Sequence, residues 1–153
     1  MPQKTTTLTP AKEIAELTFD LLANCQEKEE RLAEQLKISV PEFRLVRIFR
    51  GEKKIPIKKL VERINLSGSR LTRILDSLEK NGYLARSIDP TDRRVITVTL
   101  SKKGIDLSGK LEENYIKFHE GILKDIPKEL HAPMMQGMQN MLTSLQVWLR
   151  GKK

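Results

Sequence analysis

The 153-residue chain reads as mainly α with a small β-hairpin wing, an α+β pattern. Three observations predict it. Apolar residues recur at helical spacing over most of the length, most cleanly at Leu71, Ile74, Leu75 and Leu78, which stand at i, i+3, i+4 and i+7. Only residues 83–100 change to the β-branched alternation of a hairpin. Composition agrees: 39% hydrophobic, 31% charged and 5% aromatic suits a charged, helix-rich chain better than a β-sandwich or a disordered segment. The length allows one domain with a full core, or a small domain carrying an oligomerisation element.

Residues 1–8 are polar and are expected to fray. Thr9-Pro10 starts a helix, because the hydroxyl can cap an orphan N–H and proline is tolerated at the first helical position. Ile14, Leu17, Leu21, Leu22, Cys25, Leu32 and Leu36 then follow a helical pattern, interrupted by the charged patch at 27–31, which leaves one helix or two open. A narrow apolar stripe with a polar back suits a partner chain; packing within the chain is the alternative. Ser39-Val40-Pro41-Glu42 opens the next helix, with Phe43, Leu45, Val46, Ile48 and Phe49 as its buried face and Gly51 as its end. Glu52-Lys53-Lys54 reads as an exposed connection, and Ile57–Ile64 as a short helix burying Ile57, Leu60, Val61 and Ile64.

Asn65-Leu66-Ser67-Gly68 is a compact turn into a longer basic helix over 67–81, with Ser67 as its cap. A short helix, a tight turn and a longer basic helix make the helix-turn-helix layout. At ~100° per residue, Ser69 and Arg73 fall opposite the apolar stripe, with Arg70 and Thr72 flanking them. Small hydroxyls permit close approach to a major groove and arginine offers a bidentate fork to guanine. An ordinary solvated face is the bland alternative. Asn81-Gly82 stops the helix; residues 83–87 and 95–100 form two strands around Ile88-Asp89-Pro90-Thr91-Asp92-Arg93-Arg94. A hairpin tip with arginines can place one in a narrow minor groove, and Asp92 can orient an arginine through a salt bridge. A turn held by Asp-Pro chemistry with its arginines in water is the competing reading.

Ser101 caps a long helix through residues 102–123, and residues 127–150 form a last helix with Leu130, Met134, Met138, Met141, Leu142, Leu145 and Trp148 on one broad face. Pro133 falls near its first turns, where it can shift the start. The methionines read as packing surface.

Net charge is +8, and its placement is informative. Residues 50–103 hold 14 Lys and Arg against 6 Asp and Glu, while the remaining positions hold 14 against 14. The whole excess falls on the helix-turn-helix and hairpin, which argues for a localised anion-binding face. The single cysteine, Cys25, allows no intrachain disulfide; on the apolar stripe it reads as an inert buried thiol, with redox sensing as the alternative. His119 and His131 lack metal-ligand spacing and read as lone surface histidines, so no metal and no cofactor are expected. No Gly-rich phosphate loop or nucleophile–base pairing is present, so an enzyme is not expected. Nothing resembles a signal peptide, no apolar run reaches the ~18 residues of a membrane span, and the cytoplasm is the expected location.

The motifs Leu66-Ser67, Leu71-Thr72-Arg73, Leu78-Glu79-Lys80-Asn81-Gly82-Tyr83-Leu84, Arg86, Asp92-Arg93-Arg94 and Leu100-Ser101-x-x-Gly104 together resemble the MarR (multiple antibiotic resistance regulator) family in order and spacing. The resemblance covers residues 55–104. It implies a winged helix-turn-helix with N- and C-terminal dimerisation helices: 1–38 an N-terminal dimerisation region, 39–103 the DNA-binding domain, 104–153 the C-terminal dimerisation helices. It further implies a homodimeric transcriptional regulator, a repressor more often than an activator, that binds a palindromic operator in double-stranded DNA. Ser67, Gly68, Ser69, Arg70, Thr72 and Arg73 are then the major-groove residues, Arg94 enters the minor groove oriented by Asp92, and Arg93 pairs with the backbone or a carboxylate. Gly68 and Arg70 depart from the family's usual residues, so base preference is not transferable. Lys58, Lys59, Lys102 and Lys103 are expected on phosphates, adding affinity without specificity. A small-molecule effector or an oxidative signal is the candidate means of relief. A winged-helix protein-interaction module without specific DNA binding is the alternative function.

Overall fold

Thr9 and Pro10 open the first helix of the computed structural model, which describes residues 9–64 and 66–151. The polar stretch 1–8 and Asn65 of the expected turn lie outside the described residues. Helix α1 (Pro10–Gln35) is a single helix, capped by the Thr9 hydroxyl, which accepts from the Lys12 N–H. The charged patch does not break it, because Arg31 pairs with Glu27 one turn away on the exposed side.

Helix α2 (Val40–Ile48) begins in a complete capping box: Ser39 accepts from the Glu42 N–H, and the Glu42 carboxylate accepts from the Ser39 N–H at 2.8 Å. It buries Phe43, Leu45 and Val46, and Phe49 follows them into the core. Arg50 and Gly51 then turn the chain with positive φ (47° and 83°), the conformation that favours glycine at the second position.

Two expectations change here. Lys54 belongs to a strand, β1 (Lys54–Pro56), instead of an exposed connection. Pairing across the sheet makes it one: Ile55 stands opposite Val98, and both are fully buried. Helix α3 (Ile57–Ile64) buries only Leu60; Ile57 and Ile64 are half-buried and Val61 is 42% exposed. With eight residues, the helix turns only one position fully inward.

Helix α4 (Gly68–Lys80) buries Leu71, Leu75 and Leu78. It ends in a Schellman arrangement, in which the Tyr83 N–H donates to the Leu78 carbonyl and the Gly82 N–H to that of Glu79, both at 2.9 Å, with Gly82 at φ 75°. Strands β2 (Leu84–Ile88) and β3 (Ile96–Leu100) each start one residue later than expected. The antiparallel sheet has the order β1-β3-β2.

Helices α5 (Lys102–Lys124) and α6 (Lys128–Arg150) complete the chain. The Ser101 hydroxyl caps α5 by accepting from the Gly104 N–H at 3.1 Å. Pro133 does not shift the start of α6 from Lys128; it sits inside the helix, five residues on, where it offers no N–H to the Glu129 carbonyl. The chain divides into two compact units, one ending at Glu112 and the other beginning at Glu113. The first holds the core of Phe43, Phe49, Ile55, Leu75, Leu78 and Val98. In the second, none of the described residues is buried, and the apolar face of α6 has Leu130, Met138, Met141, Leu142, Leu145 and Trp148 between 44% and 58% exposed. The stripe on α1 is equally open, at Ile14, Leu17, Leu21 and Leu22.

Candidate nucleic-acid interface

With Leu71, Leu75 and Leu78 anchored in the core, helical geometry turns Ser69, Arg70, Thr72 and Arg73 to solvent. Ser67 stands at the N-cap position without the expected side-chain cap bond; its hydroxyl lies 3.3 Å from that of Ser69. The Thr72 hydroxyl donates to the Gly68 carbonyl at 2.9 Å. Gly68 is exposed, with open space where a side chain would stand. Arg70 and Arg73 border a depression of about 440 Å³ together with Arg44, and among the described residues neither forms an ion pair.

The wing tip is built by Asp89. Its carboxylate accepts from the Thr91 N–H (2.8 Å), the Thr91 hydroxyl (2.6 Å) and the Asp92 N–H (3.2 Å). These bonds, the Thr91 hydroxyl's first, hold the Asp89 carboxyl below its ordinary pKa. Asp92 does not form the expected salt bridge. Its carboxylate accepts from the Arg94 backbone N–H at 3.0 Å, since a turn offers that amide two residues on, and so it orients the backbone that carries Arg94. Among the described residues, Arg93 and Arg94 have no carboxylate partner and both are exposed.

The fold brings Arg94 beside Lys58 and Lys59, across a groove of about 600 Å³ between the start of α3 and the wing, floored by Pro56, Ile57 and Ile96. Two adjacent lysines and an arginine distant in sequence therefore share one groove, which Glu62 also lines. Lys102 is exposed, but Lys103 is committed elsewhere: its ammonium donates to the Asn81 carbonyl at 2.8 Å and sits 4.3 Å from the Tyr83 ring centre.

Sequence reasoning gives Arg86 no role beyond its place in the motif. It is the strut between helix and wing: its guanidinium donates to Asp76 at 2.6 Å and Glu79 at 2.5 Å, and its N–H donates to Glu79 at 3.0 Å. The Arg86 side chain, then its N–H, pulls the Glu79 carboxyl below its ordinary pKa. The signal for it is the pair Asp76 and Glu79 at i, i+3 on the helix, which prepares one cation site.

Cys25 is half-buried, not fully buried as expected, and its sulfur accepts from the Lys28 ammonium at 3.8 Å. The histidines are half-buried and bonded, unlike the lone surface groups expected: His119 Nδ1 donates to the Tyr115 carbonyl (2.7 Å), and His131 Nε2 lies 3.1 and 2.9 Å from the Leu123 and Ile126 carbonyls.

Residues 38–96 match the model of the MarR family. The chain is 36% identical over 70 residues to the HTH-type transcriptional regulator SarZ of Staphylococcus haemolyticus, covering 46% of this chain and 48% of that one. It is 31% identical over 93 residues to SarZ of Staphylococcus epidermidis, covering 60% and 61%. The chain thus spans about half to three-fifths of the length of these curated relatives. In fold it resembles Streptococcus pneumoniae FabT, crystallised in complex with DNA, with a TM-score of 0.78 and 22% identity over 90% of this chain and 99% of that one. It likewise resembles a mutant MarR from E. coli, with a TM-score of 0.73 and 19% identity over 90% and 99%. Over residues 38–96, which hold most of the winged domain, the chain is similar to the MarR family.

Proposed function

We propose that the chain is a cytoplasmic, sequence-specific DNA-binding transcriptional regulator, most simply a repressor, that acts as a homodimer on a palindromic operator. One observation carries the reading: the outward Ser69, Arg70 and Arg73 of α4 and the Lys58–Lys59–Arg94 groove lie on α3, α4 and the wing, within the stretch that holds the chain's entire positive excess. Helix α4 reads base edges in the major groove, with Arg70 and Arg73 offering forks to guanine. Arg94 enters the minor groove, and Lys58 and Lys59 neutralise phosphates on either side of it. The open apolar faces of α1 and α6 supply the dimer contact, since a monomer would leave them in water. Half-sites then lie about one helical turn apart. An effector relieves binding only if it prefers one separation of the two α4 helices over another.

A gel-shift of the full chain against the DNA upstream of its own coding sequence tests the reading, with an unrelated fragment of equal length as competitor. A discrete complex that survives the competitor is expected. Equal displacement by both fragments would sink it.

A further inference from the structure

Beyond the side chains that face DNA, the structure contains a joint that ties the end of α4 to the start of α5. Three consecutive carbonyls leave the end of α4, at Asn81, Gly82 and Tyr83, and each is taken by a donor from the first turn of α5 or the residue before it. Lys103 Nζ donates to Asn81 at 2.8 Å, Ser101 Oγ to Gly82 at 2.6 Å, and the Ser101 N–H to Tyr83 at 3.0 Å. The Ser101 hydroxyl also accepts from the Gly104 N–H, so one side chain serves both elements. Gly104 is buried directly against the Tyr83 carbonyl. A Cβ there would lie 1.9 Å from that oxygen and 3.0 Å from its carbon, both backbone atoms that no rotamer change can move aside.

We propose that this Gly104–Tyr83 joint is a positioning element that fixes the angle between α4 and α5 and thereby selects the half-site spacing that the protein accepts. The inference rests on the proposed dimeric operator reader. Helix α5 runs unbroken from Lys102 to Lys124, and α4 carries the outward arginines, so the joint decides where α4 points relative to the first turns of α5. Interfaces packed at backbone contact are bistable or rigid, seldom compliant. None of the joint's atoms needs to touch DNA for this role.

Two opposite perturbations test it. Gly104→Ala drives a wedge between the elements: reaching the 3.0 Å limit of real Cβ contacts needs a separation of about 1 Å more. Ser101→Ala removes two of the joint's bonds without adding bulk. An operator is selected from random DNA with the wild-type full chain, then rebuilt with its half-sites one and two base pairs closer or further apart, and affinity is measured for each. The wild type should prefer one spacing by about tenfold or more, within the usual discrimination per altered position. Gly104→Ala should move the optimum to another spacing, and Ser101→Ala should flatten the preference at least threefold. A merely structural role would lower melting temperature and weaken all spacings by the same factor, and that result overturns the proposal. If Gly104→Ala fails to fold, Ser101→Ala decides alone: an unchanged spacing ratio overturns the joint. A wild type that selects no operator overturns the DNA-reader proposal and this one with it; a selective wild type with unmoved variants overturns only the joint.

Discussion

Glu42 shows how much one side chain carries. Its carboxylate takes the Ser39 N–H, the Ser39 hydroxyl and, from α4, the Ser77 hydroxyl at 2.7 Å. Burial alone raises its pKa, but the bonds from Ser77 and Ser39 together outweigh burial and hold it below the ordinary value. A depressed folded pKa stabilises the fold fully above the unfolded-state value of about 4.3 and ceases to do so as pH falls through the folded value. Stability measured by urea unfolding should therefore decline below about pH 4.5, and Glu42→Gln should make that decline shallower. At pH 7, Glu42→Ala should cost about 2 kcal/mol, because it removes three hydrogen bonds to a carboxylate; a loss indistinguishable from zero would contradict the hydrogen-bond account. Arg94→Ala belongs to the same scale. It should weaken operator binding by about tenfold while leaving the melting curve unchanged, since the side chain is exposed and makes no ion pair among the described residues. Unaltered affinity in fluorescence anisotropy would remove Arg94 from the interface.

At the scale of elements, the wing depends on Arg86. Replacing it with Met keeps the aliphatic stem and the backbone bond to Glu79 but severs the guanidinium's links to Asp76 and Glu79. Faster amide exchange in β2 and the wing turn than in α2 is the expected result, and equal protection would show that sheet pairing alone holds the wing. The helices are legible in sequence because their period is local. Leu71, Ile74, Leu75 and Leu78 announce α4 without reference to anything else. Strand β1 is not legible: Lys54-Ile55-Pro56 has no alternation of its own and becomes a strand through Val98. The outward residues of α4 follow from the buried stripe, whereas the meeting of Lys58, Lys59 and Arg94 does not, since no sequence spacing encodes a contact made through a three-stranded sheet. Asp92 reads in sequence as a partner for a guanidinium, and in the fold a backbone amide two residues away takes it first.

For the whole molecule, the open apolar faces of α1 and α6 lead to a mass prediction. In solution the chain should sediment at twice its 17.6 kDa, and Leu145→Asp on the exposed face of α6 should shift it towards the single-chain mass. A monomeric wild type would contradict the dimer. Salt reports on the basic face in the same way. Should the dimer neutralise about six or more phosphates, affinity falls about a thousandfold between 50 and 200 mM salt. A flat profile would mean that the +8 excess does not act on nucleic acid.

The short strand β1 has one more consequence. A three-stranded sheet ordered β1-β3-β2 leaves two outer edges, and an open edge invites another chain to add a strand. Here one edge is only three residues long, begins with a lysine and closes on Pro56, which has no N–H to offer a newcomer. The other is five residues long, and its Arg86 is tied back to Asp76 and Glu79 of α4. The hairpin is thereby protected against edge-to-edge aggregation when the protein is free, and a change of Pro56 to valine should shorten the time the purified protein stays clear at high concentration.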